Sequence, residues 1–157
     1  MKKIEVKAIF LSDIHLGSKG CQADILLNFL KQYKTKKIFL VGDIIDCWRL
    51  KSKLFWPQSH SDVLRKFLSF SKNGTKVHFV TGNHDDFLRQ YQPLSLGNIE
   101  LDERFSYASN GKKYLVIHGD QFDIITRYGR YISVFGDRLY SALLLSLIHI
   151  SEPTRLS

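Results

Sequence analysis

Cysteine is scarce in this sequence: 157 residues hold only Cys21 and Cys47, with no Cys-x-x-Cys spacing. That argues against a disulfide framework and against a cysteine zinc knuckle. A reducing cytoplasm is the simplest setting for two isolated thiols. The N-terminus does not read as a signal peptide either, because the lysines near Met1 are followed by no long apolar stretch. The longest apolar run, Ala142 to Leu145 and on through Leu147–Ile150, is interrupted by Ser146 and His149. It is too short to span a bilayer, so the chain reads as soluble or attached only to a membrane surface. Internal repeats and low-complexity tracts are absent. Acidic residues are in the minority, 15 against 23 Lys and Arg, for a net charge of +8. Such a surplus attracts phosphate groups, nucleic acid or an acidic membrane face. A basic surface kept for solubility accounts for it equally well.

What is present fits one globular domain, with 44% apolar and 13% aromatic residues. Ala8 to Leu11 reads as a buried strand. Ile25, Leu26, Phe29, Leu30 and Tyr33 then recur at helical spacing. Ile38 to Val41 is a second strand, and Val63, Leu64, Phe67 and Leu68 mark a second helix. Asn73-Gly74 opens a third strand, Lys76 to Thr81. Short strands alternating with helices predict βαβ units and a largely parallel sheet. Further on, Ile99–Leu101 and Phe105–Tyr107 read as short strands, and Asn110-Gly111 is a hairpin signal. Tyr114 to Ile117 reads as a fourth core strand. From Ile124 to about Leu145 the chain is helix-like, aromatic and basic.

Each of these four strands runs into metal-type ligands: Asp13-Ile14-His15, Gly42-Asp43, Gly82-Asn83-His84-Asp85 and His118-Gly119-Asp120. Singly, each has a plain explanation, since a lone Asp after a strand is usually a cap or turn residue and Asn83 could simply accept a left-handed turn. Together they carry weight. Ligands of open α/β sheets bind at the carboxyl ends of the strands, so four parallel strands would bring the clusters to one place. Carboxylate, imidazole and amide oxygen suit borderline divalent metals. A carboxylate such as Asp43 can bridge two ions, and an ion pair can bind a phosphoryl group and make a hydroxide nucleophile.

The patterns Asp-x-His, Gly-Asp-x-x-Asp, Gly-Asn-His-Asp and a strand-terminal His-Gly-Asp resemble the calcineurin-like metallophosphoesterase superfamily over residues 8 to 123. The resemblance implies an α/β fold, part of a four-layer α/β/β/α sandwich lacking its C-terminal strands. It implies two divalent ions, with manganese as the expected metal. Asp13 and His15 would bind the first, Asp43 would bridge, and Asn83 with His118 would bind the second. His84 would be the catalytic residue beside the phosphate, and Asp85 would orient it. More narrowly, Leu11–Ser18, Val41–Trp48 and Ile117–Asp123 resemble the UDP-2,3-diacylglucosamine diphosphatase group. That group hydrolyses the diphosphate of a lipid-linked nucleotide sugar in lipid A synthesis, at the cytoplasmic face of the inner membrane. The stretch from Ile124 would then be a helical insertion over the substrate, with Arg127, Tyr128 and Arg130 as substrate contacts; an ordinary amphipathic packing helix is the equal alternative. The group's best-known branch has Arg where His84 stands, and His is the general superfamily form. Competing readings are a nucleotide or nucleic-acid phosphodiesterase of the same superfamily, and a non-catalytic scaffold.

One superfamily element, Gly-His-x-His after a further strand, has no counterpart here; His149 lacks both the Gly and the second His. Ser146 to Ser157 resembles peptide translated from sequencing-adaptor DNA. The expectation is therefore a phosphoesterase domain over 1–145, a non-native tail over 146–157, and poor activity for the chain as written.

Overall fold

The computed structural model describes residues 3–120 and 122. Contacts divide the chain into two compact units, 1–118 and 119–157. All architecture below belongs to the first. The expected helical stretch from 124, Arg127, Tyr128, Arg130 and the tail from 146 lie outside the described residues.

The apolar runs place the strands. β1 (Ile4–Val6) and β2 (Ile9–Leu11) precede α1 (Ala23–Gln32), then come β3 (Tyr33–Thr35) and β4 (Lys37–Val41). α2 (Cys47–Ser52) and α3 (Gln58–Lys72) lead to β5 (Lys76–Val80), and a 3-10 turn covers Asp86–Tyr91. β6 (Leu94–Leu96), β7 (Ile99–Asp102), β8 (Arg104–Ser109) and β9 (Lys112–Ile117) complete the unit.

The main sheet has the order β2-β4-β5-β7-β6. β2, β4, β5 and β7 are parallel, with Leu11 beside Leu40 and Leu40 beside Phe79. β6 closes the edge antiparallel to β7. One face is covered by α1 and α3, whose Leu30, Val63 and Phe67 bury Ile9, Ile38, Leu40 and Val77. This is the usual solution for a parallel sheet, which must be covered on both faces. The other face packs Phe39 and Val80 against Val116 of β9, with Phe105 and Tyr107 of β8 alongside. Phe39 stacks on Phe10 and His78 at centroid distances of 4.7 Å each. Helices, main sheet and a second two-stranded sheet therefore form three successive layers among the described residues. No helix among them is long and apolar enough to cross a membrane.

The fourth strand corrects the expectation. β9 is not parallel to the others: it pairs antiparallel with β8, in a separate sheet, through the turn at Asn110 (φ 51°) and Gly111 (φ 73°). A two-residue turn can join only antiparallel neighbours. Nor is β9 a core strand, since Val116 is buried while Tyr114 and Leu115 are exposed. Its apolar run covers the main sheet on one side only.

Candidate metal centre

Three loops leave the carboxyl ends of β2, β4 and β5, and backbone hydrogen bonds knit them together. Asp13 N donates to Gly42 O (3.2 Å), His15 N to Asp43 O (2.9 Å) and Leu16 N to Ile44 O (2.9 Å). Gly42 N donates to Val80 O (2.9 Å), and Cys47 N to His84 O (3.1 Å). The cost of this weave shows in the backbone. Asp13, His15 and Asp43 all have positive φ, 54°, 53° and 55°. Left-handed Asp and His are uncommon, and such conformations persist where the surroundings over-determine them.

The weave presents Asp43, a carboxylate 5% exposed, to three imidazoles. Its Oδ2 stands 3.9 Å from Nε2 of His15 and 3.9 Å from Nε2 of His84. Its Oδ1 stands 3.7 Å from Nε2 of His118 and accepts the His84 backbone N–H at 3.0 Å. His118 thus faces one oxygen, while His15 and His84 face the other. Nδ1 of His118 lies 3.2 Å from the Val41 carbonyl. A carbonyl can only accept, so that nitrogen carries the proton and the Nε2 lone pair points at Asp43. β9 delivers His118 even though it runs in another sheet.

A divalent ion fits this donor set. The Nε2–oxygen separations of 3.7–3.9 Å are too long for hydrogen bonds. Ligand atoms sharing one ion, each bonded at about 2.0–2.2 Å, stand roughly 3–4 Å apart. His15, Asp43 and His84 offer ligand atoms that all lie within 4.8 Å of one another. Buried His15 Nδ1 has no hydrogen-bond partner. Its nearest carboxylate oxygen, Asp46 Oδ2, is 3.6 Å away.

Asp13 lines the same cleft of about 690 Å³ with His15, Asp46 and His84. It is more exposed than the cluster, and its carboxylate accepts from the Ser12 hydroxyl. Asn83 is half-buried on the loop between Gly82 and His84. His84 stands as near Asp43 as His15 does, at 3.9 Å.

Asp85 corrects the expected contact. It does not reach the His84 ring. Its fully buried carboxylate turns inward and accepts from Gly82 N (2.6 Å) and Ile44 N (2.9 Å). Burial pushes its pKa up, against the pull of the Gly82, Ile44 and Ile45 amides, and nearby Asp43 adds to the rise. Asp85 ties the loop after β5 to the loop after β4.

The carboxylate on His84 is Asp46, whose Oδ1 lies 3.1 Å from Nδ1. Burial pushes the Asp46 carboxyl up, but the Arg49 amide and the imidazoles of His84 and His15 outweigh it and hold the pKa below the ordinary value. The second Asp of Gly-Asp-x-x-Asp was the available signal for this residue. It also caps α2 through Arg49 N (2.9 Å), the plain role such a residue suggests. Trp48 packs on the His84 ring at 4.2 Å between centroids and is half exposed.

A parallel sheet with a carboxylate–imidazole cluster at its strand ends defines an α/β protein with a metal-type centre. The family model for calcineurin-like phosphoesterases matches residues 6–153, and the chain belongs to that family. A UDP-2,3-diacylglucosamine hydrolase from Porphyromonas gingivalis is 30% identical over 122 residues, covering 73% of this chain and 46% of the relative. One of the same name from Aliivibrio fischeri is 28% identical over 117 residues, covering 71% and 47%. The chain thus spans just under half the length of these curated relatives. A solved Pseudomonas putida nuclease overlays with a TM-score of 0.38 at 21% identity, covering 62% of this chain and 48% of that one.

Proposed function

We propose that this chain carries the metal-binding part of a hydrolase that cleaves the diphosphate bond of a UDP-linked acylated sugar. The observation that carries the hydrolytic reading is Asp43, buried with one oxygen facing His15 and His84 and the other facing His118. The substrate rests on the relatives named UDP-2,3-diacylglucosamine hydrolase. With it goes a cytoplasmic location at the inner-membrane surface.

In this reading Asp13, His15, Asp43, Asn83 and His118 hold two divalent ions, with manganese the expected metal. Bound ions of this kind polarise a phosphoryl oxygen and supply a hydroxide nucleophile. The chain's own residues do the rest. The Val41 carbonyl fixes the His118 tautomer. Asp46 fixes the His84 ring through Nδ1, so that Nε2 faces the cleft. From there it can give a proton to the leaving phosphate oxygen, a role suited to imidazole. Asp46, its pKa held below the ordinary value, stays anionic beside that ring.

The test is turnover of UDP-2,3-diacylglucosamine in detergent by the natural gene product with manganese present. Cleavage at the diphosphate is expected. No cleavage of it, alongside cutting of DNA or of a simple phosphodiester, would overturn the substrate and keep the chemistry.

A further inference from the structure

The far end of the sheet holds a second charged feature that the metal centre does not use. β4 and β5 begin with Lys37 and Lys76 and end beside Asp43 and Gly82. Four steps of strand at roughly 3.3 Å put the two ends about 13 Å apart. At the starting end lies a cleft of about 720 Å³ whose lining includes Lys3, Lys34, Lys36, Lys37, Lys66 and Lys76. Among the described residues, no acidic side chain lines it.

The local counter-charge is small. Lys34 is 3.9 Å from Glu5 and Lys76 is 4.0 Å from Glu100, both loose and exposed pairs. Such pairs contribute little. Among the described residues, no carboxylate stands within 4.0 Å of the ammonium groups of Lys3, Lys36, Lys37 or Lys66. α1 and α3 both end here, at Gln32 and Lys72. Two helix C-termini supply about one negative charge in all, against six lining lysines, of which Lys34 and Lys76 are loosely paired and Lys37 reaches over the Tyr107 ring. Burial and the neighbouring Lys3 and Lys31 hold the Lys66 pKa below the ordinary lysine value. That is the direction expected where cations crowd without an anion. Solubility alone does not require lysines to gather around a concavity.

We propose that this cleft is a binding site for a compact, multiply phosphorylated anion. The shape decides between sources. A concavity with lysines along its lining suits clustered phosphates better than a flat surface does. On the function proposed above, docking this end on a bilayer would also turn the metal cleft away from the lipid-borne substrate. Single-stranded nucleic acid would need exposed rings for base stacking. The cleft's two aromatics do not offer them: Phe70 is buried and Tyr33 is half-buried against Phe29.

The experiment is calorimetric titration of the metal-free protein with inorganic triphosphate, with orthophosphate in a parallel arm. A single saturable site is expected, weakened at higher salt, with triphosphate bound at least tenfold tighter than orthophosphate. Lys36→Gln/Lys37→Gln/Lys66→Gln should lose at least tenfold in triphosphate affinity. Lys51→Gln/Lys112→Gln/Lys113→Gln removes the same charge elsewhere and should change it less than twofold. Circular dichroism and thermal melts confirm that both variants fold. Equal losses in the two variants would reduce the effect to net charge and overturn the site. So would retained binding in the first variant. Sedimentation with phosphatidylglycerol vesicles forms the last arm. Vesicle binding that depends on Lys36, Lys37 and Lys66, without triphosphate binding, would overturn the compact ligand in favour of a membrane. Because the readout is binding without metal, failure here leaves the hydrolase reading standing, and failure of that reading removes only the orientation argument against a bilayer.

Discussion

The ring of His118 lies against the bare α-carbon of Gly42: a Cβ there would stand 2.1 Å from Nδ1 and 2.3 Å from Cγ. Gly42 also has φ +69°. Gly42→Ala therefore meets two obstacles. The left-handed backbone costs an L-residue about 1–2 kcal/mol, and the His118 ring must move. Divalent-metal affinity should fall at least tenfold while the fold persists with a lowered melting temperature. Metal titration beside a thermal melt checks it. Unchanged metal affinity would show that His118 is not held in place by this contact.

Gly82 makes the matching close approach to Asp43. A Cβ there would stand 2.2 Å from Oδ1 and 2.6 Å from the Asp43 amide nitrogen, both inside any tolerated contact. Asp43→Ala removes the carboxylate that faces all three imidazoles and accepts the His84 amide. Metal loading and phosphoesterase activity should vanish together, measured by elemental analysis and by turnover. Activity that survives without bound metal would contradict the role given to Asp43.

Asp85 tests a structural role against a catalytic one. Its carboxylate satisfies the buried Gly82 and Ile44 amides. Leaving a buried donor unsatisfied costs roughly 1–3 kcal/mol. Asp85→Ala should therefore destabilise the protein by about 2–6 kcal/mol, and Asp85→Asn, which keeps one acceptor, by less. Denaturant titration at neutral pH measures both. A near-neutral Asp85→Ala would mean that the two loops are held by other contacts.

Much of this was legible in the sequence. The apolar runs ending at Leu11, Val41 and Val80 placed three parallel strands and their ligand-bearing loops. The first strand pair, β1 with β3, and the edge strand β6 are three residues long, too short for any period to show. The fourth strand was misplaced because Tyr114-Leu115-Val116-Ile117 is uniformly apolar. The hairpin signal at Asn110-Gly111 already required an antiparallel partner. Asp46 was passed over and Asp85 overvalued for one reason: sequence adjacency to His84 says nothing about which way a carboxylate turns. Asp85 follows His84 in the chain and points away, whereas Asp46 arrives from another strand's loop.

A pH dependence follows from His60, buried under the loop after β2. Its Nδ1 accepts the Gly17 amide at 3.0 Å, a role only the unprotonated nitrogen can fill. Burial holds its pKa below the ordinary value, with Asp24 opposing; the rings of Phe55 and Trp56 pack against it. The unfolded chain, with a pKa near 6.5, takes up a proton before the folded one does. Stability should thus be unaffected above about pH 6.5. It should decline as the pH falls from there toward the lower folded pKa. His78, also lowered by burial, contributes in the same direction, so the informative quantity is a difference. His60→Asn offers an oxygen to the Gly17 amide and does not titrate. Its stability profile between pH 7 and 5 should be flatter than that of the parent in urea titrations. Parallel profiles would remove His60 as a source of acid sensitivity.

The pair His84 and Asp46 separates metal binding from proton transfer. His84 is close enough to Asp43 to be a ligand, and its Nδ1 is held by Asp46 at 3.1 Å, an arrangement that suits a metal ligand as well as a positioned acid. His84→Ala should leave metal bound and slow turnover by roughly 10²–10⁴-fold, the usual scale for general acid–base catalysis. Asp46→Asn keeps the shape and the hydrogen-bonding reach but removes the negative charge that favours a protonated ring. It should lower kcat with little change in KM. A purely structural Asp46 would reduce stability without lowering kcat. Loss of metal from His84→Ala would make His84 a ligand and hand the proton to another group in the cleft.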